Sequence, residues 1–116
     1  MIILLACIAM LAMGIVMRKL ANKIASSALQ FSADGMDAVE LKEKYGDRLC
    51  FEGGVSVQTT LPFGNPKDVQ REVKELITAL GKNGGYILGP SHAIQAGTPP
   101  QNIVAMFDTA SSFYPF

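Results

Sequence analysis

From Ser27 onward, apolar positions recur in two alternating rhythms, short runs and helical stripes, separated by glycine, proline and small polar residues. "SALQF" reads as a short strand. Asp37 then has the look of a helix N-cap, with Glu40 at the spacing of a capping box. Ala38, Leu41 and Tyr45 fall on one face of that helix, and Gly46 is placed to end it. "RLCFEGGV" reads as a second strand stopped by Gly53 and Gly54, and "SVQTTLPFG" as a loop. Asn65 and Pro66 mark the next helix start, because proline at the first helical position lacks only an N–H that would be unpaired anyway. Val69, Val73, Ile77 and Leu80 line one stripe, with Leu76 beside them. Lys67, Arg71, Glu72, Lys74 and Glu75 fall off it, and Asp68, Glu72 and Glu75 read as a solvated face. Gly81 ends the helix. "GYILG" is a third strand, apolar throughout as a strand covered on both faces should be. "PSHAIQAG" is a loop. A third helix follows, with Thr98 as cap, Pro99 in first position and Gln101 completing a second box; Ile103, Val104, Phe107 and Ala110 should face inward. The aromatic tail, Phe113, Tyr114 and Phe116, reads as packing material.

Strand, helix, strand, helix, strand, helix is the order of βαβ units with a parallel sheet. In α/β folds the site lies at the C-terminal ends of the strands. His92, the single histidine of the chain, falls in such a loop. Three units cannot close a barrel, and an open sheet of that size exposes its edges. The pattern therefore reads as a piece of something larger.

The segment before Ser27 changes the picture. Residues 2–17 carry no charged side chain, and Arg18, Lys19 and Lys23 follow them. The apolar run falls short of a full membrane span and lacks the leading basic region of a signal peptide. An anchor with its basic flank in the cytoplasm, a cleaved signal and a buried or mis-assigned segment all stay open. The chain divides into this apolar segment, 1–27, read as an N-terminal helix, and an α/β domain, 28–116. Net charge is zero, and beyond Asp34 acids outnumber bases, so the basic surface that nucleic acid requires is missing. Cys7 and Cys50 lie far apart with no metal-binding spacing. They read as free thiols of a reducing, cytoplasmic compartment.

The stretches "LQFSADGMDAVELKEKYGDRLCFEGGVSVQTTLPFG" and "KDVQREVKELITALGKNGGYILGPSHAIQAGTPPQNIVAMFDTA" resemble, in order and spacing, the C-terminal part of the uroporphyrinogen decarboxylase family. Residues before Leu29 do not resemble the preceding unit of that family. The resemblance implies a (β/α)8 TIM barrel of which these are the sixth to eighth units. It implies tetrapyrrole decarboxylation, or methyl transfer between corrinoid proteins and thiols, with zinc as the cofactor in the methyl-transfer branch. His92 matches a histidine at the porphyrinogen site, although "GPSHA" replaces the tighter glycine pair of the decarboxylases. In the methyltransferases a zinc-ligating cysteine stands at this strand end; here Ser91 and His92 do. The substrate-facing set implied is Gly53, Gly54, Gln58, Ser91 and His92, with His92 the catalytic candidate and no metal ligand assigned. Glu52 is a lone carboxylate at the mouth. Because the remaining parts of such a site lie on earlier strands, the segment is expected to be inactive alone. The alternatives are a split-barrel subunit that needs a partner chain or self-association, and a remnant domain anchored to a membrane through residues 2–17.

Overall fold

The computed structural model describes residues 37–116 and the backbone of residues 24–29. The expected apolar helix over residues 2–17, and with it the membrane anchor, lies outside the described residues. Among the described residues no helix is long and apolar enough to cross a membrane.

The elements run β1 (Ile24–Leu29), α1 (Ala38–Tyr45), β2 (Cys50–Val55), α2 (Thr60–Phe63), α3 (Pro66–Leu80), β3 (Tyr86–Pro90) and α4 (Pro100–Ser112). The three strands form one parallel sheet in the order β1-β2-β3. β2 and β3 pair without a break from Phe51↔Tyr86 to Val55↔Pro90. β1 joins the other edge of β2 with an irregularity between Ile24 and Ala28. It starts ahead of the expected "SALQF", and residues 30–31 of that stretch lie outside the described residues.

Local chemistry accounts for most of the boundaries. Asp37 Oδ1 accepts the Val39 and Glu40 amides at 2.8 and 2.9 Å, which opens α1. Asn65 and Asp68 form a full reciprocal box at the start of α3, with Pro66 at the first position. The Gly81 amide closes α3 on the Ile77 carbonyl at 2.8 Å.

Packing then follows from the helix stripes. Val69, Val73, Leu76 and Leu80 of α3 are buried against Phe51 and Val55 of β2, with Ile77, Tyr86 and Leu88 half-buried at the rim. Ala38, Leu41 and Tyr45 of α1 pack on the same core, as their spacing predicts. Burial of each large apolar side chain contributes roughly 1.5–3 kcal/mol, so this stripe carries much of the stabilisation.

Four expectations are corrected. First, Gly53 and Gly54 do not stop β2. The strand continues through them to Val55, because their positive φ angles of 89° and 107° are open to glycine while the ladder to β3 stays in register. Second, "SVQTTLPFG" is not all loop. α2 forms within it and drives Leu61 fully into the core. Third, α4 starts one residue late. Pro99 is its N-cap and Pro100 takes the first turn, while Thr98 Oγ1 donates to the Gln95 carbonyl at 2.9 Å instead of capping. Fourth, α4 is rolled away from the expected phase. Asn102, Ala105, Met106 and Thr109 are buried, whereas Val104 and Phe107 are 56% and 64% exposed.

The roll has a polar cause. The Asn102 amide donates to the carbonyls of Leu61 at 2.9 Å and Gly64 at 2.8 Å, and Asn102 is 1% exposed. Two acceptors are thus satisfied by one side chain, and the helix turns to bring it there. Asn102→Ala should cost about 2–3 kcal/mol, because the buried Leu61 carbonyl and the half-buried Gly64 carbonyl both lose their donor. Urea denaturation of the variant measures this, and a change under about 0.5 kcal/mol would remove the amide as the determinant of the α4 roll.

Candidate functional site

The C-terminal ends of β2 and β3 meet. The Ser91 amide donates to the Val55 carbonyl at 2.8 Å, extending the ladder one residue past β3. Ser91 Oγ in turn accepts the Val57 amide at 3.4 Å. Ser91 is buried at 2% exposure, while its neighbour His92 is exposed. Gln58, on the facing turn, is also exposed. Of the five residues singled out by sequence, Gly53, Gly54 and Ser91 are buried within the strand ends, and Gln58 and His92 stand out from them.

The turn after β2 is organised by Ser56. Its Oγ accepts the amides of Gln58 at 3.3 Å and Thr59 at 3.1 Å, and shares a 2.8 Å hydrogen bond with Thr59 Oγ1. Its carbonyl accepts the Leu61 amide at 3.0 Å. Its own amide donates to Glu72 Oε1 of α3 at 3.1 Å. Glu72 is therefore not part of a solvated face. It is half-buried, and its Oε2 is buried without a hydrogen-bond partner. The sequence held a signal for this: Glu72 is three residues after Val69 and four before Leu76, so it borders the apolar stripe. Asp68, by contrast, keeps a surface role. Its carboxyl is held below its ordinary pKa by the Asn65 backbone amide and then by Arg71, whose guanidinium lies at 2.9 Å.

Tyr86 is a second residue that sequence reading missed. Its hydroxyl donates to the Gly53 carbonyl at 2.6 Å, fastening β3 to the glycine pair from the helix side. Burial, and after it the Glu72 carboxylate, push the phenol well above its ordinary value of 10.0. The folded state thus holds Tyr86 neutral where the unfolded chain would ionise it.

The two sheet faces differ. Phe51 and Val55 of β2, with Tyr86 and Leu88 of β3, pack into the core under the helices. Alternation puts Glu52, Gly54, Ile87 and Gly89 on the opposite face. There Glu52 pairs with Ile87 and Gly54 with Gly89, and both Glu52 and Ile87 are exposed. The larger cavity, about 820 Å³, lies elsewhere, between α1 and α3, and includes Lys42, Glu72 and Glu75. A smaller one, about 390 Å³, lies between the end of α3 and the aromatic tail. Neither is lined by Gly53, Gly54, Gln58, Ser91 or His92. Among the described residues no three His, Cys, Asp or Glu side chains come together in a way that would hold a metal ion. The residues described therefore do not fit a zinc centre around His92.

Because Tyr86 has a raised pKa when folded, its contribution to stability is complete below the unfolded value of 10.0 and declines as pH rises above it. Wild-type stability should fall more steeply than that of Tyr86→Phe above pH ~10, by up to about 1.4 kcal/mol per pH unit. Parallel slopes for the two proteins in alkaline denaturant titrations would show that the phenol is free to ionise in place.

The family model of uroporphyrinogen decarboxylase (URO-D) matches residues 7–113, a range that takes in residues 7–28, which the unit-by-unit resemblance leaves out. A uroporphyrinogen decarboxylase from Coxiella burnetii is 22% identical over 77 residues, covering 66% of this chain and 21% of that protein. One from Azoarcus sp. is 27% identical over 74 residues, covering 64% and 20%. One from Anaeromyxobacter dehalogenans is 36% identical over 64 residues, covering 52% and 18%. The chain thus spans about a fifth of the length of these curated relatives. A parallel α/β segment matched by the family model over nearly its whole length belongs to the uroporphyrinogen decarboxylase family.

Proposed function

We propose that this chain supplies the sixth to eighth βα units of a (β/α)8 decarboxylase barrel, and that the C-terminal ends of β2 and β3 form part of its tetrapyrrole site. One observation carries the reading. The two strand ends are fastened to each other through Ser91, while Gln58 and His92 stay exposed at that same end. Barrel enzymes place their chemistry at this face. The names of the curated relatives favour decarboxylation over methyl transfer to or from a corrinoid protein.

Loss of a carboxyl group from a pyrrole acetate needs a protonated pyrrole, an anion to stabilise it and a proton for the product carbon. His92 is the group here that can hydrogen-bond a substrate carboxylate or carry a proton. Gln58 offers an amide to the same region. Gly54, on the sheet face away from α3, brings no side chain between the substrate and the backbone of β2, while Gly53 lies on the helix side. The stabilising anion and the carboxylate-binding cations are not among these residues, so the segment turns over substrate only together with the rest of a barrel. No step is assigned to zinc.

The outer edge of β3, unpaired among the described residues, and the apolar side chains Ile87, Val104 and Phe107 favour a second reading beside this one. An unpaired strand edge with exposed apolar flanks is completed by a neighbouring unit, in the same polypeptide or in a partner chain.

The test is a chimera in which residues 24–116 replace the matching segment of the Anaeromyxobacter dehalogenans enzyme. Uroporphyrinogen consumption should persist in the chimera and be undetectable for this chain alone. In the chimera, His92→Ala should lower turnover by at least about tenfold. A folded chimera without activity would sink the decarboxylase reading, and an active one indifferent to His92→Ala would remove His92 from the site.

A further inference from the structure

The turn that carries Gln58 is tied down from outside at three points, each on a different element. Ser91, just past β3, accepts the Val57 amide through its Oγ. Asn102 of α4 holds the carbonyls of Leu61 and Gly64 at the far end of the segment. Glu72 of α3 holds the Ser56 amide at the near end, at 3.1 Å. Of the three, Glu72 alone brings a carboxylate, and charge-assisted hydrogen bonds to a backbone N–H are the stronger kind. Its target is also the most connected residue of the turn. The Ser56 amide, carbonyl and hydroxyl are all engaged, and the hydroxyl sets the amides of Gln58 and Thr59. Ser56 is 6% exposed, so water cannot readily replace Glu72 as its partner.

We propose that Glu72 is a positioning residue for the strand-end site. It fixes the Ser56–Thr59 turn through the Ser56 amide, and so aims the Gln58 side-chain amide at a carboxylate of the substrate. The second half of this statement rests on the reading of the strand ends as a tetrapyrrole site; the first half does not. Glu72 lies on the helix side of the sheet, so it acts through Ser56 and touches no substrate. The geometry also explains why the position takes a carboxyl rather than an alkyl side chain at the border of an apolar stripe. An aliphatic residue there would cover Val69 and Leu76 as well, but would leave a buried amide without an acceptor.

Amide hydrogen exchange on the full chain separates this role from a general structural one. In Glu72→Ala, exchange at Ser56, Val57, Gln58 and Thr59 should rise by about tenfold or more relative to the amides of α3 and β3. In Glu72→Gln, whose side-chain carbonyl still accepts, exchange in the turn should stay within about threefold of wild type. A uniform rise across the sheet and α3, or no rise in the turn, overturns the proposal. If Glu72→Ala does not fold, Glu72→Asp serves, since it keeps the charge on α3 but is one methylene too short to reach Ser56; an unloosened turn in that variant overturns the proposal as well. In the active chimera, Glu72→Ala and Gln58→Ala should raise KM for uroporphyrinogen together, by about fivefold or more, with Glu72→Gln restoring it. A loosened turn with unchanged KM leaves the clamp standing and overturns the aim of Gln58 at substrate. An inactive chimera with a loosened turn sinks the tetrapyrrole reading alone.

Discussion

Everything else in this segment depends on α3 covering one face of the β2–β3 pair. A parallel pair of strands cannot stand in water with both faces bare, and a helix with an apolar stripe must bury it. Val69, Val73, Leu76 and Leu80 against Phe51 and Val55 meet both needs in one contact. Once that face is taken, strand alternation decides what remains. Glu52, Gly54, Ile87 and Gly89 are left on the other side, and the chain leaving β2 meets α3 at Glu72. The position of the candidate site is thus a consequence of which sheet face the helix covers.

The second layer of organisation is polar. Three elements each send one side chain to the segment after β2, and each satisfies backbone groups that the fold has buried. The cost of leaving such groups unpaired makes these contacts directional in a way that apolar packing is not. Asn102 shows the consequence. Its amide outweighs the burial of Val104 and Phe107 and sets the roll of α4. Two acceptor oxygens, Glu72 Oε2 and Asn102 Oδ1, are left buried without partners. Both belong to side chains whose other polar atom holds a backbone group, so each residue is placed by the bond it makes.

This division also explains what could be read from the chain alone. Helix starts at Asp37 and Asn65, the α3 stripe and the stop at Gly81 are local events. They involve residues within four positions of one another, and periodicity and caps reveal them. The roll of α4 is not local, because Asn102 answers to carbonyls some forty residues away. Gly53 and Gly54 look like a strand stop in isolation; pairing with β3 carries the strand through them. In the sequence Glu72 points to water, where carboxylates usually go, and only the fold brings Ser56 within its reach. At the site, the loop holding Ser91 and His92 was legible from the strand–loop–helix order. That one of these neighbours turns inward and the other outward depends on the Ser91–Val55 bond across the sheet.

On the sheet face away from α3, side-chain bulk falls toward the strand ends. In a closed barrel, inward-facing positions are filled in layers by bulky branched side chains. Here Glu52 and Ile87 lie side by side on the face away from α3, and Gly54 lies beside Gly89 nearest the strand ends. Among the described residues, a Cβ added to Gly89 would meet only the Cα of Gly53, at 3.9 Å, so no described side chain excludes a larger residue there. At Gly54 the positive φ of 107° is a separate reason for glycine; no such reason applies to Gly89. The glycine layer withholds side chains where the strands end and the exposed Gln58 and His92 begin.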